Sequence, residues 1–328
     1  MDLADLRILF LGNCADPDTS ENDPNASALK LRYHSEIYQL LSELCRDVIG
    51  TNDPEDLFRK KGEYDYVFSL FNRMGFRSSE IYPSAVCEYL KVPYLGATPD
   101  IRGVAENKGL FKHIAKSCGI DVARGVDFYP GKKIEQPSDF SPPYFVKPRG
   151  GANSEWIRPS SYCVSWDDAK KEIAFLLDKN LSVLVEEFID GVNLTVPVLG
   201  GPNPQVLGVV EVPSYEKHNV LTSKEKLQDH CDISYTDKDM SYKVCDNDRV
   251  QEITSKHAAI LNDTLYPLDY FRTDYRYDAK KDRLVILEIN VCCDISSFRA
   301  IVFAAEKIGL SQKEMLKQIL EISLSRQT

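Results

Sequence analysis

The stretch LVILEINVCCDISSFR, residues 284–299, decides how this chain is read. An apolar run ends in Glu288 and Asn290 before a cysteine pair. Alternate residues of a strand share a face, so Glu288 and Asn290 point one way while Val285, Leu287 and Ile289 point the other. Just upstream, YFRTDYRYDAKKDR (270–283) reads as a partner strand, with DAKKDR as the connection of a hairpin. A turn centred on Lys281 sets Asp274 opposite Glu288 and Arg272 opposite Asn290. One patch then holds two carboxylates, an amide oxygen and a guanidinium. Hard oxygen donors at a strand end suit Mg²⁺, with phosphate and water oxygens filling its remaining positions. A divalent cation also removes the repulsion between two adjacent carboxylates. On these residues alone, a solvated sheet face carrying an Asp–Arg pair explains the pattern as well.

Two earlier stretches carry related chemistry. In YFVKPRGGANSEW (144–156), Lys147 interrupts an apolar strand just before Gly150 and Gly151. Such a loop lets backbone N–H groups approach a phosphate while the lysine supplies charge. It fits neither the P-loop nor the dinucleotide fingerprint, and a surface loop is the plainer alternative. In VLVEEFIDGVNLTV (183–196), an apolar strand meets Glu186 and Glu187 and then Phe188 and Ile189. Backbone groups and acids placed this way can read the edge of an adenine; two solvated acids at a strand end are the plainer alternative.

The rest of the chain supplies the setting. LRILFLGN (6–13) reads as a first buried strand, SALKLRYHSEIYQLLSELC (27–45) as a helix with Ile37, Leu40, Leu41 and Leu44 on one stripe. YDYVFSLF (64–71) and VPYLGA (92–97) read as strands around a helix at 79–90. This β-α-β-α-β rhythm over residues 1–97 predicts a small parallel sheet flanked by helices. Helical spacing from 99 ends at Gly119, and WDDAKKEIAFLLDKN (166–180) is a further helix. A long polar loop spans 213–248, a helix lies near 249–264, and Ser311 with Glu314 forms a capping box before the last helix.

Length and composition narrow the function. The chain has 328 residues, 43% hydrophobic and 27% charged, with a net charge of −10. That is an ordinary globular profile, long enough for two or three lobes. An acidic surface repels phosphodiester backbones, so nucleic acid is not an expected partner. No apolar run reaches the roughly 20 residues of a membrane-spanning helix, and the N-terminal apolar stretch is too short for a signal peptide. The nine scattered cysteines include no C-x-x-C pair, which points to reduced thiols in a cytoplasmic protein rather than a zinc site. His34, His113 and His257 lie on helical patterns and read as packing or surface residues.

The order of these features, more than any one, resembles a known family. Lys108 in ENKGLFKHIAKSCGI, Lys147 in FVKP, then EEFIDG, then RTDYR…LEIN resembles the ATP-grasp superfamily, and within it D-alanine–D-alanine ligase and its relatives. The resemblance runs from about residue 64 to the C-terminus. It implies an α/β (α+β) ATP-grasp fold with three lobes, 1–97, 98–185 and 186–328, holding ATP between two antiparallel sheets. It implies a carboxylate–amine ligase that activates one amino acid as an acyl phosphate for attack by the amine of a second. By resemblance Lys108, Lys147 and Ser154 meet the ATP phosphates, and Glu186, Glu187, Phe188 and Ile189 hold adenine. Asn193 falls where the family has a ribose-binding glutamate. Lys238 matches a loop lysine that closes over the triphosphate, and Asp274, Glu288 and Asn290 match the ligands of two Mg²⁺ ions, with Mn²⁺ as an alternative. Arg272 matches the arginine that stabilises the tetrahedral intermediate. A homodimer is implied as well.

The departures fall at the substrates. After the metal asparagine, D-alanine–D-alanine ligases continue with a Pro-Gly turn whose glycine N–H joins the oxyanion hole. Here the run is VCCDISSFR, with Asp294 in the glycine's place and Arg299 near the carboxylate-binding serine. Asp294 either faces a cationic substrate group or caps the next helix through Ser296 and Ser297; Arg299 can grip a carboxylate bidentately. Asn153 and Ser154 replace paired serines, and the family's first-substrate signature is missing around residues 13–27. The expectation is therefore an amino-acid ligase of a specialised biosynthetic pathway. D-alanine–D-alanine ligase itself and a non-catalytic nucleotide-binding module are the alternatives. A Rossmann oxidoreductase finds only Gly12 where G-x-G-x-x-G is required.

Overall fold

The computed structural model describes residues 2–16, 28–70, 79–151, 155–214, 218, 220 and 242–327. Its first sheet has three parallel strands in the order β2-β1-β3, namely β1 (Arg7–Leu11), β2 (Asp47–Thr51) and β3 (Tyr66–Ser69). Ile8, Leu9, Phe10 and Leu11 are all fully buried, as a central parallel strand covered on both faces requires. Helix α1 (Ala28–Leu44) buries Tyr33, His34, Ile37 and Leu41 against it, while Leu40 and Leu44 pack at the edge. Short α2 (Asp56–Arg59) and α3 (Ile81–Leu90) complete the lobe.

Two details differ from the sequence expectation. Strand β2 was not anticipated, because Asp47 and Gly50 break up its apolar pattern. Residues 92–97 form no strand: Tyr94 makes a single bridge to Val67. Pro93 has no N–H to donate, and Gly96 turns the chain at φ +101°.

The segment from 99 is two helices, α4 (Pro99–Glu106) and α5 (Lys108–Ser117). The break is Asn107, whose side chain accepts from Leu110 N at 3.0 Å and caps α5. Gly119, at φ +78°, closes α5 as expected. A four-stranded antiparallel sheet comes next in the order β4-β7-β5-β6, from β4 (Gly125–Phe128), β5 (Tyr144–Pro148), β6 (Tyr162–Cys163) and β7 (Val183–Glu187). Helix α6 (Trp166–Asp178) packs Ala169, Ile173 and Leu176 onto its apolar face.

The largest sheet runs β11-β10-β8-β12-β13, with β9 (Gln205–Val206) beside β8 (Val192–Leu199). Its other strands are β10 (Val210–Val212), β11 (Lys243–Val244), β12 (Tyr270–Asp278) and β13 (Arg283–Val291). Helix α7 (Asp248–Thr264) covers one face through Val250, Ala258 and Leu261. Helices α8 (Ala300–Lys307) and α9 (Gln312–Ser325) join the first lobe's core, and Ser311 with Glu314 forms the expected capping box. Val122 bridges Ile286, so the chain enters the four-stranded sheet from the edge of β13. Two antiparallel sheets therefore face one another across a shared cleft. No helix among the described residues is long and apolar enough to cross a membrane.

Candidate active site

Strand register brings the decisive residues together as the alternation required. Arg272 pairs with Asn290 and Asp274 with Glu288 across β12 and β13. A bulge comes after Asp274, where Tyr275 skips to Ile286 and leaves Leu287 extra. The Arg272 guanidinium forks onto Asp274, with Nε to Oδ1 at 2.9 Å and Nη2 to Oδ2 at 3.0 Å. Asn290 Nδ2 donates to Asp274 Oδ2 at 3.0 Å, which turns its amide oxygen away from that carboxylate. Thr195 Oγ1 donates to Oδ1 at 2.6 Å from β8, a partner that sequence reasoning missed. Burial works against charge on Arg272, yet Asp274 holds its proton above the ordinary arginine range.

The lysines arrive from the other wall. Lys108, first residue of α5, reaches Glu288 Oε2 at 3.2 Å and also donates to the Gly151 carbonyl. Its own N–H meets Arg149 O at 2.9 Å, which ties the helix start to the end of β5. Lys147 lies on Glu186 Oε2 at 2.7 Å, and Lys112 donates to Oε1 of the same carboxylate. Burial alone would raise the Glu186 pKa, but the two ammonium groups bring it below the usual carboxylate range. Lys112 was not anticipated. The available signal was its place one helical turn after Lys108.

At the far end, Glu187 is gripped by Arg124 Nε and Nη2 at 3.0 and 2.6 Å and by Arg283 Nη2 at 2.9 Å. Burial pushes its carboxyl up, and these arginines outweigh it and pull it down to about 2. The Glu187 and Phe188 N–H groups are taken by Arg124 O and Pro143 O. Of the expected adenine-binding backbone, those two donors are thus occupied by the sheet itself. The Phe188 ring packs edge-on against Tyr162 at 4.8 Å. Asn193 accepts from Arg276 Nη1 at 3.1 Å, and Arg276 also donates to the carbonyls of Gly191 and His218. Arg276, its guanidinium 5.0 Å from the Phe188 ring centre, is a third residue the sequence reading missed.

The loop after β13 is held against itself. Asp294 accepts from Arg299 Nε at 2.8 Å and from Ser296 N and Oγ at 2.9 and 2.6 Å. Despite burial, Arg299 and Ser296 keep its pKa below the usual value. It caps a local turn rather than α8, whose N-cap is Arg299. Tyr33 and Glu36 of α1 hold the same loop through Ile295 N and Ser297. Cys292 and Cys293 are both buried. Cys292, at φ +57°, accepts from buried Arg102 at 3.0 Å, and burial pushes the Cys293 thiol up to about 12. His34 accepts from Cys14 N at 3.0 Å, and burial lowers its pKa to about 4, so it is a neutral packing residue.

A cavity of about 400 Å³ joins all of this. Its wall includes Lys108, Lys147, Glu186, Glu187, Phe188, Ile189 and Asn193 at one end. Arg272, Asp274, Glu288 and Asn290 stand in the middle, with Asp294 and Arg299 at the other end. Ser154 and Lys238 lie outside the described residues. Among the described residues no three His, Cys, Asp or Glu side chains form a metal cage. Two carboxylates and an amide facing a cavity fit a hard cation that shares its coordination with substrate oxygens. Each carboxylate has a basic partner that an arriving cation can replace.

Comparison with known proteins bears on the family and the fold. The family described as D-ala D-ala ligase C-terminus matches residues 115–321. An uncharacterized protein, y4sG, of Sinorhizobium fredii is 28% identical over 83% of this chain and 78% of its own length. D-alanine–D-alanine ligase of Carboxydothermus hydrogenoformans is 25% identical over 81% of this chain and 83% of its own. D-alanine–D-alanine ligase from Bacillus anthracis complexed with ATP superposes with a TM-score of 0.72 at 16% identity, covering 98% of both chains. VanG D-Ala:D-Ser ligase from Enterococcus faecalis gives a TM-score of 0.72 at 17% identity, over 97% of this chain and 99% of that one.

Proposed function

Because the chain belongs to the D-alanine–D-alanine ligase family, an ATP-grasp ligase family, we propose that it joins two amino acids or amino-acid-like substrates other than a pair of D-alanines. It is an ATP-dependent carbon–nitrogen ligase. The first carboxylate takes the γ-phosphoryl group to give an acyl phosphate and ADP; the second substrate's amine then displaces phosphate. The three lobes divide at 97 and 185.

The roles track the charges. Lys108 and Lys147 neutralise the phosphates, with Ser154 and Lys238 assigned to the same triphosphate by family resemblance. Transfer of a phosphoryl group asks for positioning and charge neutralisation, which is what lysines on the cavity wall provide. Glu186 and the part of the 187–189 backbone that the sheet does not occupy receive adenine, and Asn193 faces the ribose. Asp274, Glu288 and Asn290 hold Mg²⁺, which, when bound, screens the phosphates and the two carboxylates from one another. Arg272, fixed by its fork onto Asp274, stabilises the oxyanion that forms under amine attack, worth about 3 kcal/mol of barrier.

The observation that carries the choice of substrate is the Asp294–Arg299 pair, 2.8 Å apart on the wall of the cavity that Arg272 also lines. An acid and a guanidinium there match the ammonium and carboxylate of an α-amino acid, or a charged side chain. A second reading, D-alanine–D-alanine ligase itself, is favoured by the likeness to the Carboxydothermus hydrogenoformans enzyme. The test is ADP release with ATP, Mg²⁺ and an amino-acid panel that includes D-alanine. Turnover with another amino acid supports the first reading, and turnover with D-alanine alone supports the second. ADP release that ignores every amino acid overturns both.

A further inference from the structure

Lys112 has no part in the catalytic roles of its neighbours, yet it is one of the least exposed charges of the protein. Its relative exposure is 6%, against 5% for Lys147 and 2% for Glu186. The two lysines grip opposite oxygens of one carboxylate, Lys112 from α5 on Oε1 and Lys147 from β5 on Oε2. The cavity wall includes Lys147 and Glu186 but not Lys112. One lysine therefore stands where a ligand arrives, and the other stands behind the carboxylate.

Three lysines, Lys108, Lys112 and Lys147, stand against two carboxylates, Glu186 and Glu288. The assembly carries one excess positive charge before any phosphate enters. Lys108 is held by Glu288 and the Gly151 carbonyl, so it is not placed to serve Glu186. When Lys147 turns to a phosphate it must leave Glu186. A buried carboxylate stripped of its partner is strongly penalised. A carboxylate with two lysines can lend one and keep the other.

We propose that Lys112 is a positioning residue that stays on Glu186 while Lys147 exchanges onto the nucleotide's phosphates. The exchange then leaves the carboxylate charged and fixed at the base end of the site. The proposal rests on the reading that Lys147 meets phosphate. Burial and Lys147 lower the Lys112 ammonium, with Glu186 opposing them, to about 8, so it is still protonated at neutral pH. A plain structural ion pair would also be buried here. It would set thermal stability but would not make nucleotide affinity depend on Lys112 through Glu186.

The test is calorimetric titration of ATP with Mg²⁺ into the full chain, without amino acids. Lys112→Met should weaken ATP by more than about tenfold, the factor that ~1.4 kcal/mol makes in a binding constant. Lys112→Arg should restore most of the affinity. In a Glu186→Gln background, Lys112→Met should change it by less than about threefold, because there is no carboxylate left to neutralise. An equal loss in both backgrounds, or a lower melting temperature with unchanged affinity, overturns the proposal. Should Lys112→Met not fold, Lys112→Gln and the double variant answer the same question. Lys147→Met separates the role of Lys112 from the phosphate reading beneath it. If it binds ATP as tightly as the parent, the phosphate reading and this proposal both fall. If it weakens ATP while Lys112→Met does not, only the role of Lys112 falls.

Discussion

Glu288 and Asp274 each face the cavity with a cation already on them, Lys108 at 3.2 Å and Arg272 at 2.9 Å. Their side chains are 23% and 20% exposed, so neither is a deeply buried lone charge if its partner changes. Glu288→Gln and Asp274→Asn should therefore fold, with circular dichroism like the parent. ATP turnover should fall by about 10²-fold or more, the scale on which one charge-stabilising group acts. Wild-type-like turnover in either variant would remove it from the metal site. Glu187 makes a pH prediction. Its carboxyl falls from 4.5 unfolded to about 2 folded, burial notwithstanding, through Arg124 and Arg283. A depressed carboxylate stabilises the fold above its unfolded value and loses that contribution as pH falls towards its folded value. Urea melts should thus lose stability between pH 4.5 and 2, by ~3 kcal/mol at most and less because Arg124 is half exposed. Glu187→Gln should be less stable at pH 6 and flatter across that window; an unchanged slope would show that Glu187 does not drive it.

At the scale of elements, much of the site was legible, and the reason is periodicity. The two-residue repeat of LEIN and RTD sets Asp274 against Glu288 without knowledge of the rest of the chain, and β12–β13 pair in that register. Local signals likewise predicted the Ser311–Glu314 box and the Gly119 stop. What stayed hidden depends on partners far along the chain. Lys112 acquires meaning only from Glu186, 74 residues on, and Arg276 only from Asn193 on the neighbouring strand. The break at Asn107 was also hidden, since apolar spacing continues through it. That break is testable. Asn107 caps α5 and makes Lys108 its first residue, so Asn107→Ala should cost ~1 kcal/mol of stability. It should also weaken ATP binding several-fold, because the cap fixes where the Lys108 stem begins. A thermal melt and an ATP titration check both effects, and an unchanged affinity would mean that Arg149 O alone anchors the helix start.

On the scale of the whole molecule, the cleft works only if the first lobe and β13 keep their relative positions. The segment 94–97 is where they meet. Gly96 N donates to Asp269 Oδ2 at 2.7 Å, just before β12, and Arg326 at the end of α9 binds Asp269 Oδ1 at 2.6 Å. Arg326 Nη2 also donates to Tyr94 O and Gly96 O, at 2.8 and 2.6 Å. Gly96 has no room for a side chain, since a Cβ there would lie 2.0 Å from Cys292 Sγ, at the exit of β13. One knot thus joins the linker, α9, β12 and β13. Asp269 is fully buried, and its carboxyl rises above the usual range through burial that Arg326 only partly offsets. Arg326→Met removes the guanidinium that holds this carboxylate. It should destabilise by about 3–5 kcal/mol, the range for breaking a buried pair. Arg326→Lys, which keeps the charge but not the fork to the two carbonyls, should lie between. Because the knot sets the distance between lobes, turnover measured well below the melting temperature should fall with it. A lower melting point with unchanged turnover would confine the knot to stability and leave the alignment of the cleft to the sheets alone.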